Sequence, residues 1–458
     1  MQKTTDEEMR ESRTALTPET GVGTQERPRR GAAQVMEMPG MGMGGGGAPL
    51  DLRSLRTFES LKNPVFRLYF AAMAGWFASM NVKQVARTLL IYRIGRTATV
   101  LGVMSLANAV PMLLFSLFGG VIADRVPKKN VLFLGVVGSG VVSLSIALTM
   151  SLGFLGEHNP NSWWILVVAA VMEGTIMGLM MPSRQAVIVE IVGQEQLMNA
   201  VALGTLEMNV NRLLMPALAG FFIEAFSFEA AYYTITGLYI LAAGVVLLMP
   251  LTGTITLGGR GALADIADGL RYVRGQPTIL LVLVLSFFIV LLSMPYQSLL
   301  PIFTEDILKV GAGGLGTVIS VSGIGAIVGS IALASLPNKR RGAMLMAGSL
   351  LLGLSLVGFS FSDAWRLSLG FILFVGLGQA FRMTLGNTLL QYYVTDEYRG
   401  RVLSLYMMEF GLTSFGAFFT ALAADAVGVQ WSVGGLAMLL VVMCILVLIF
   451  VPQIRKLD

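Results

Sequence analysis

Stretches of about 20 consecutive apolar residues, the length that crosses the hydrocarbon core of a bilayer, recur along nearly the whole of this chain. In lipid no water satisfies backbone N–H and C=O groups, so an open chain crosses only as helices. The runs therefore confine the protein to helical membrane spans. Charge agrees: 55% of the 458 residues are hydrophobic and 13% charged, where a soluble domain carries roughly 25% charged residues. Twelve spans are expected, over 67–92, 98–123, 130–153, 163–189, 200–226, 230–251, 278–304, 313–336, 342–361, 365–394, 402–427 and 431–452, giving an all-α integral membrane fold.

Several function classes fall away. One cysteine, Cys444, and one histidine, His158, leave no disulfide framework, histidine zinc site or histidine proton relay. No G-x-x-x-x-G-K-[ST] phosphate loop occurs, so ATP is not the expected energy source. No nucleophile–base pair or metal-ligand cluster stands out, so neither an enzyme nor a cofactor is expected. The net charge of +5 reads as cytoplasmic Lys and Arg rather than nucleic-acid binding.

Those cations also orient the chain. One set of loops carries Arg53, Arg56, Lys62, Arg67, Arg125, Lys128, Lys129, Arg184, Arg260, Arg271 and Arg274, then Lys339, Arg340, Arg341, Arg399, Arg401, Arg455 and Lys456. The opposite set carries only Arg93, Arg96, Lys309 and Arg366. Both termini are therefore expected in the cytoplasm. Residues 1–60 are polar, then Gly- and Met-rich, with no apolar h-region, and read as a disordered cytoplasmic tail. Six spans fill 61–252 and six fill 278–458. In the linker 253–277, Leu263, Ile266, Ala267, Leu270 and Val273 recur at helical spacing and predict a short amphipathic helix on the cytoplasmic surface.

The halves echo one another. Residues 194–207 lie over 396–409 with an offset of 202, which sets Glu207 on Glu409. The basic turn Lys128-Lys129 corresponds to Arg340-Arg341. Repeated halves with a midplane site between them are a transporter architecture.

The segment Gly119-Gly120-Val121-Ile122-Ala123-Asp124-Arg125-Val126-Pro127-Lys128-Lys129, between the second and third spans, resembles the signature of the major facilitator superfamily. Pro182-Ser183-Arg184-Gln185-Ala186, Asn387-Thr388-Leu389-Leu390-Gln391 and Arg399-Gly400-Arg401-Val402-Leu403-Ser404-Leu405-Tyr406 resemble its branch of enterobactin exporters and macrolide efflux proteins. The resemblance covers about residues 60–450. It implies two pseudo-symmetric six-helix bundles in a bacterial-type inner (plasma) membrane. It also implies a conformational switch built from Gly120, Asp124, Arg125, Lys128, Lys129 and Arg184, with Asp124 working near the start of the eleventh span. Two positions depart from the pattern. Met215 and Ala219 replace glycines usual in the fifth span of exporters, and Met80 stands where branch members often carry an acid.

Seven charges fall within spans: Lys83, Arg87, Glu173, Glu207, Arg212, Arg382 and Glu409. Each costs about 2.5–3.5 kcal/mol at the centre of the membrane on insertion scales, so each needs a partner or an aqueous pathway. All lie on helices that the resemblance places around a central cavity. Proton coupling is assigned to Glu207 and Glu409, which repeat in both halves, and to Glu173. Burial raises a carboxylate's proton affinity and a nearby cation lowers it, so alternating access can load and unload a proton. Substrate binding is assigned to Lys83, Arg87, Arg212 and Arg382, with Asn81 and Gln84. Lys83, Arg87 and Arg382 favour an anionic or zwitterionic substrate. The competing reading makes the charges interhelical ion pairs, for instance Glu173 with Arg87 or Arg212.

The expected function is a monomeric, proton-coupled exporter of an amphipathic, anionic or zwitterionic small molecule such as a drug or siderophore. Its partners are that substrate, protons and the lipid bilayer, with no nucleic acid. The rivals are a lipid or lysolipid flippase, an uncoupled facilitator of the same fold, and a non-transporting membrane sensor or scaffold.

Overall fold

The computed structural model describes residues 56–250, 262–337, 339–395 and 397–457. The side chains of Asp124 and of residues 262–267 lie outside what is described, as does the tail through residue 55. Among the described residues there is no strand.

A short 3-10 helix, Arg56–Lys62, overlaps the end of the segment 1–60 that the sequence assigns to the tail. It is pinned to the first half by Ser60, whose backbone N–H donates to Asn199 Oδ1 at 3.0 Å. The first long helix, α1 (Pro64–Gly95), starts where proline is tolerated, with Asn63 accepting from the Val65 and Phe66 N–H groups. Then come α2 (Ala98–Arg125), α3 (Lys128–Ser151), α4 (Trp163–Ala225) and α5 (Phe228–Leu248). The second half holds α6 (Ala262–Arg274), α7 (Pro277–Ser293), α8 (Tyr296–Ile302), α9 (Gly311–Ala334), α10 (Arg341–Ser360) and α11 (Trp365–Tyr393). It closes with α12 (Arg399–Met407), α13 (Glu409–Val427), α14 (Val429–Phe450) and α15 (Pro452–Arg455).

Ten helical segments of the described residues are long and apolar enough to cross a membrane. One of them runs 66 residues, Pro160–Ala225, enough for two crossings. It turns at Gly193, whose φ of 68° and ψ of 177° need a residue without Cβ. A 32-residue α1 adds a further crossing; Lys83, Gln84 and Arg87 make it too polar to count by hydropathy alone. The layout is consistent with twelve passes. Two differences from the expected spans have local causes. The turn expected between the fourth and fifth spans is compressed into Gly193. The seventh pass is built of α7, α8 and a π-helical turn, Phe303–Ile307, after a break at Pro295.

Small residues set the packing, as they do where helices associate in lipid. A Cβ on Gly174 of α4 would lie 2.0 Å from the Asn108 carbonyl oxygen of α2. In the second half, a Cβ on Gly376 of α11 would lie 1.9 Å from the Ser322 carbonyl oxygen of α9. The two glycines are 202 positions apart, the offset of the sequence repeat. Between the halves, Gly220 and Gly316 bring α4 against α9: either Cβ would sit 2.2 Å from a carbonyl oxygen, of Ala312 or of Pro216. Gly102 of α2 packs as closely on α13, where a Cβ would lie 2.8 Å from the Ala421 Cβ and 2.9 Å from the Phe418 Cα. These inter-half contacts cluster at the face opposite the first and last described residues, here called the far face and the terminal face in turn. They extend inward to Leu113 beside Gly411 and Leu213 beside Gly323. Nearer the terminal face, a Cβ on Gly120 or Gly204 would meet nothing within 4 Å.

Gly376→Val is expected to destabilise the second half by about 1–3 kcal/mol through overpacking. Gly244→Ala, where nothing lies within 4 Å, should be neutral or mildly stabilising. Thermal unfolding of the two variants in detergent checks the contrast.

Candidate central cavity

A cavity of about 230 Å³ opens between α1, α2, α4, α5 and α13. Its wall includes Trp76, Met80, Lys83, Gln84 and Arg87 from α1, Ser105 and Asn108 from α2, and Glu173 and Met177 from α4. Tyr239 of α5 and Ser414 of α13 complete it. Lys83 and Arg87 stand one helical turn apart, so α1 presents both on one face.

The charges there are not equivalent. Lys83 Nζ lies 2.5 Å from Glu173 Oε1, with both side chains under 10% exposed. The ammonium also sits 4.8 Å from the centre of the Tyr239 ring, in cation–π range. Ser139 Oγ donates to Glu173 Oε2 at 3.4 Å. Glu173 therefore pairs with Lys83, not with the Arg87 or Arg212 that sequence suggests. Arg87 Nε has no hydrogen-bond partner. With Lys83 and Glu173 cancelling, Arg87 leaves the cavity wall with one uncompensated positive charge.

A second buried pair lies in the other half. Arg382 Nη1 donates to Glu409 Oε2 at 3.0 Å, with both side chains under 5% exposed. Glu409 opens α13, where the eleventh pass breaks at Met408. Glu207, its counterpart in the repeat, is buried, and its Oε1 has no hydrogen-bond partner.

Arg184 corrects a sequence expectation. It is not a loop cation; α4 runs on through Pro182, and the guanidinium lies over Trp76 and Phe77, 5.7 and 5.1 Å from their ring centres. A planar guanidinium stacks on aromatic faces, which makes this depth tolerable. Other expected residues scatter. Gln84 lines the cavity, whereas Asn81 turns its amide to the Phe77 carbonyl at 2.8 Å and Arg212 is exposed.

In the basic turn, Lys128 pairs with Glu190, and Lys129 donates to the Leu247 carbonyl at 2.8 Å and to that of Met249. These contacts tie α3 to α4 and α5 within the first half. Arg125 is exposed and Gly120 has open space. The Asp124 side chain lies outside the described residues. Sequence reasoning missed Ser105, Asn108, Ser139, Tyr239 and Ser414. Each is a small polar or tyrosine residue within a largely apolar run, and nothing but the packing distinguishes it from a lipid-facing one.

The profile of the transmembrane secretion effector family matches residues 55–458. The staphyloferrin A transporter of Staphylococcus aureus is 24% identical over 82% of this chain and 94% of its own length. Macrolide efflux protein A of Streptococcus pyogenes is 23% identical over 85% of this chain and 97% of its own. An enterobactin exporter of Shigella boydii is 24% identical over 79% and 84%. Among solved structures, a bacterial homologue of the lysosomal transporter Spinster, inward-facing and occupied, superposes with a TM-score of 0.66 at 12% identity, over 87% of this chain and 98% of the other. A D-xylose–proton symporter gives 0.64 at 14% identity, over 86% and 99%.

Lys83→Met is expected to cost about 3–5 kcal/mol, because it strands a buried carboxylate. Adding Glu173→Gln should recover most of that loss. Thermal unfolding of the single and double variants in detergent measures the recovery.

Proposed function

The chain belongs to the transmembrane secretion effector family of the major facilitator superfamily, and from that premise we propose that it is a proton-coupled exporter of an amphipathic, anionic or zwitterionic small molecule such as a drug or siderophore. It is a multi-pass membrane transporter and not an enzyme. The observation that carries the substrate charge is Arg87. Its guanidinium borders the cavity with an unpartnered Nε, while Glu173, the acid of the cavity wall, is held by Lys83. An anion entering there gains a charge-assisted hydrogen bond that no side chain of the resting protein supplies. Trp76, Met80, Met177 and Tyr239 offer apolar surface for the rest of the molecule, and methionine repacks easily around varied shapes.

Proton coupling falls to Glu207. Glu173 and Glu409 each hold a buried cation, so protonating either strands its partner. Glu207 holds none in an ion pair and can exchange a proton without that penalty. The terminal face is cytoplasmic in this reading, as the loop cations require. With the halves joined at the far face, the cavity is presented to the cytoplasm. Alternating access then carries substrate outward in exchange for protons. The names of the relatives support export of siderophores and drugs, since they include an enterobactin exporter and a macrolide efflux protein.

Everted vesicles with an acid interior test this directly. Adding an anionic amphiphile should release protons, followed by fluorescence, and Glu207→Gln should abolish the release while the protein stays folded. Transport with no proton release for any compound would leave an uncoupled facilitator or a flippase. Arg87→Gln should raise KM for anionic substrates by roughly tenfold or more, the loss of one charged hydrogen bond, and leave that for cationic amphiphiles unchanged or lower.

A further inference from the structure

The far face closes on carboxylates that cross between the halves. Asp425, near the end of α13, accepts from the Ala98 and Thr99 backbone N–H groups at 2.8 Å each, and from Thr99 Oγ1 at 2.5 Å. Those amides are the first of α2, which Thr97 leaves without a side-chain cap. Glu224, near the end of α4, accepts from the Gly313 backbone N–H at 3.2 Å. Gly313 lies in the first turn of α9, which also lacks a side-chain cap from its own segment. A carboxylate at a helix N-terminus satisfies orphan amides and meets the positive end of the helix dipole.

The two contacts are related by the repeat. Glu224 follows Glu207 by seventeen residues, and Asp425 follows Glu409 by sixteen. Each acid belongs to one half and caps a helix of the other, so the pair reads as one device written twice with the halves exchanged. It sits beside the closest inter-half approach, where Gly220 and Gly316 seat α4 on α9. A third link, Arg93 Nη2 to Glu305 at 2.9 Å, joins α1 to the end of the seventh pass at the same face.

We propose that Asp425 and Glu224 are paired latches that hold the far face shut, and that both must release for the cavity to open there. The inference rests on alternating access, the reading given above. Both acids are exposed, so water takes over their hydrogen bonds when the halves part. The contacts are thus weak enough to break in a transport cycle.

The test uses Ser298→Cys in a Cys444→Ala background. Ser298 meets Ser105 of the other half at 3.2 Å, beside the cavity, and reports access from the far face. Vesicles that present the far face outward are treated with a membrane-impermeant maleimide. Asp425→Ala and Glu224→Ala should each raise the labelling rate by about fivefold or more, the scale of a lost helix cap, and the double variant further. Buried Cys444, retained in a parallel set without the reporter, should stay unlabelled in every variant. Unchanged labelling in folded single variants overturns the proposal, as does a fall in thermal stability alone, which would make the contacts helix caps and nothing more. Labelling of Cys444 also overturns it, since the variants would then have loosened throughout. Should the double variant not fold, the single variants decide. Transport measured alongside separates the two readings. Intact proton-coupled transport with unchanged labelling removes the latches alone. Latch-dependent labelling without any proton-coupled transport removes the coupling alone.

Discussion

The polar interior depends on how closely α4 approaches α2. Glu173 and Gly174 are neighbours, and the glycine is what lets the α4 backbone meet the Asn108 carbonyl. Asn108 strengthens the seam by donating to the Ala170 carbonyl at 3.2 Å. With α4 seated there, Glu173 reaches Lys83 on α1 and Ser139 on α3. Lipid supplies no hydrophobic force between helices, so close packing and interhelical polar contacts must associate them. The glycine contact and the ion pair therefore support one another. Without the first, the carboxylate stands away from its cation; without the second, the charge is a net cost in the membrane.

The repeat governs backbone more strictly than chemistry. Gly174 and Gly376 make the same kind of carbonyl contact at the offset of 202. Glu207 and Glu409 share that offset and differ in circumstance, one with an unpartnered oxygen and one bound to Arg382. The cavity is just as lopsided, since among the described residues Ser414 is the second half's single contribution to its wall. The first half thus supplies nearly all of the described cavity wall. The second half places its buried pair where α12 breaks into α13, away from that wall.

The spans are legible in the sequence to within a few residues, because a bilayer demands a fixed apolar length and the chain meets it again and again. The polar face of α1 is legible too, since Lys83 and Arg87 share one side by helical spacing alone. What spacing does not supply is the lateral order of helices. Lys83 and Arg87 are equal candidates for Glu173 until α4 is placed, and Arg184 resembles any other loop cation until Trp76 and Phe77 are seen beneath it. Backbone irregularities escape for a related reason. Gly193 reverses the chain within one continuous helical run and the eleventh pass breaks at Met408, and neither carries a composition change that marks it in the apolar pattern.

Exposure sorts the polar contacts into fixed and movable. Lys83–Glu173 and Arg382–Glu409 are buried within one half each, and parting either leaves a largely desolvated charge uncompensated. Such pairs make each half behave as one body. The contacts between halves are of another kind. Asp425 and Glu224 bond backbone amides at the solvated far face, where an opened bond is replaced by one to water at small net cost. The glycine seam of α4 and α9 beside them keeps backbones close without interlocked side chains, so it can hinge without forcing long rotamers past each other. Strong pairs inside the halves and exchangeable ones between them are what rigid-body alternation requires, and the division follows from where the chain meets water.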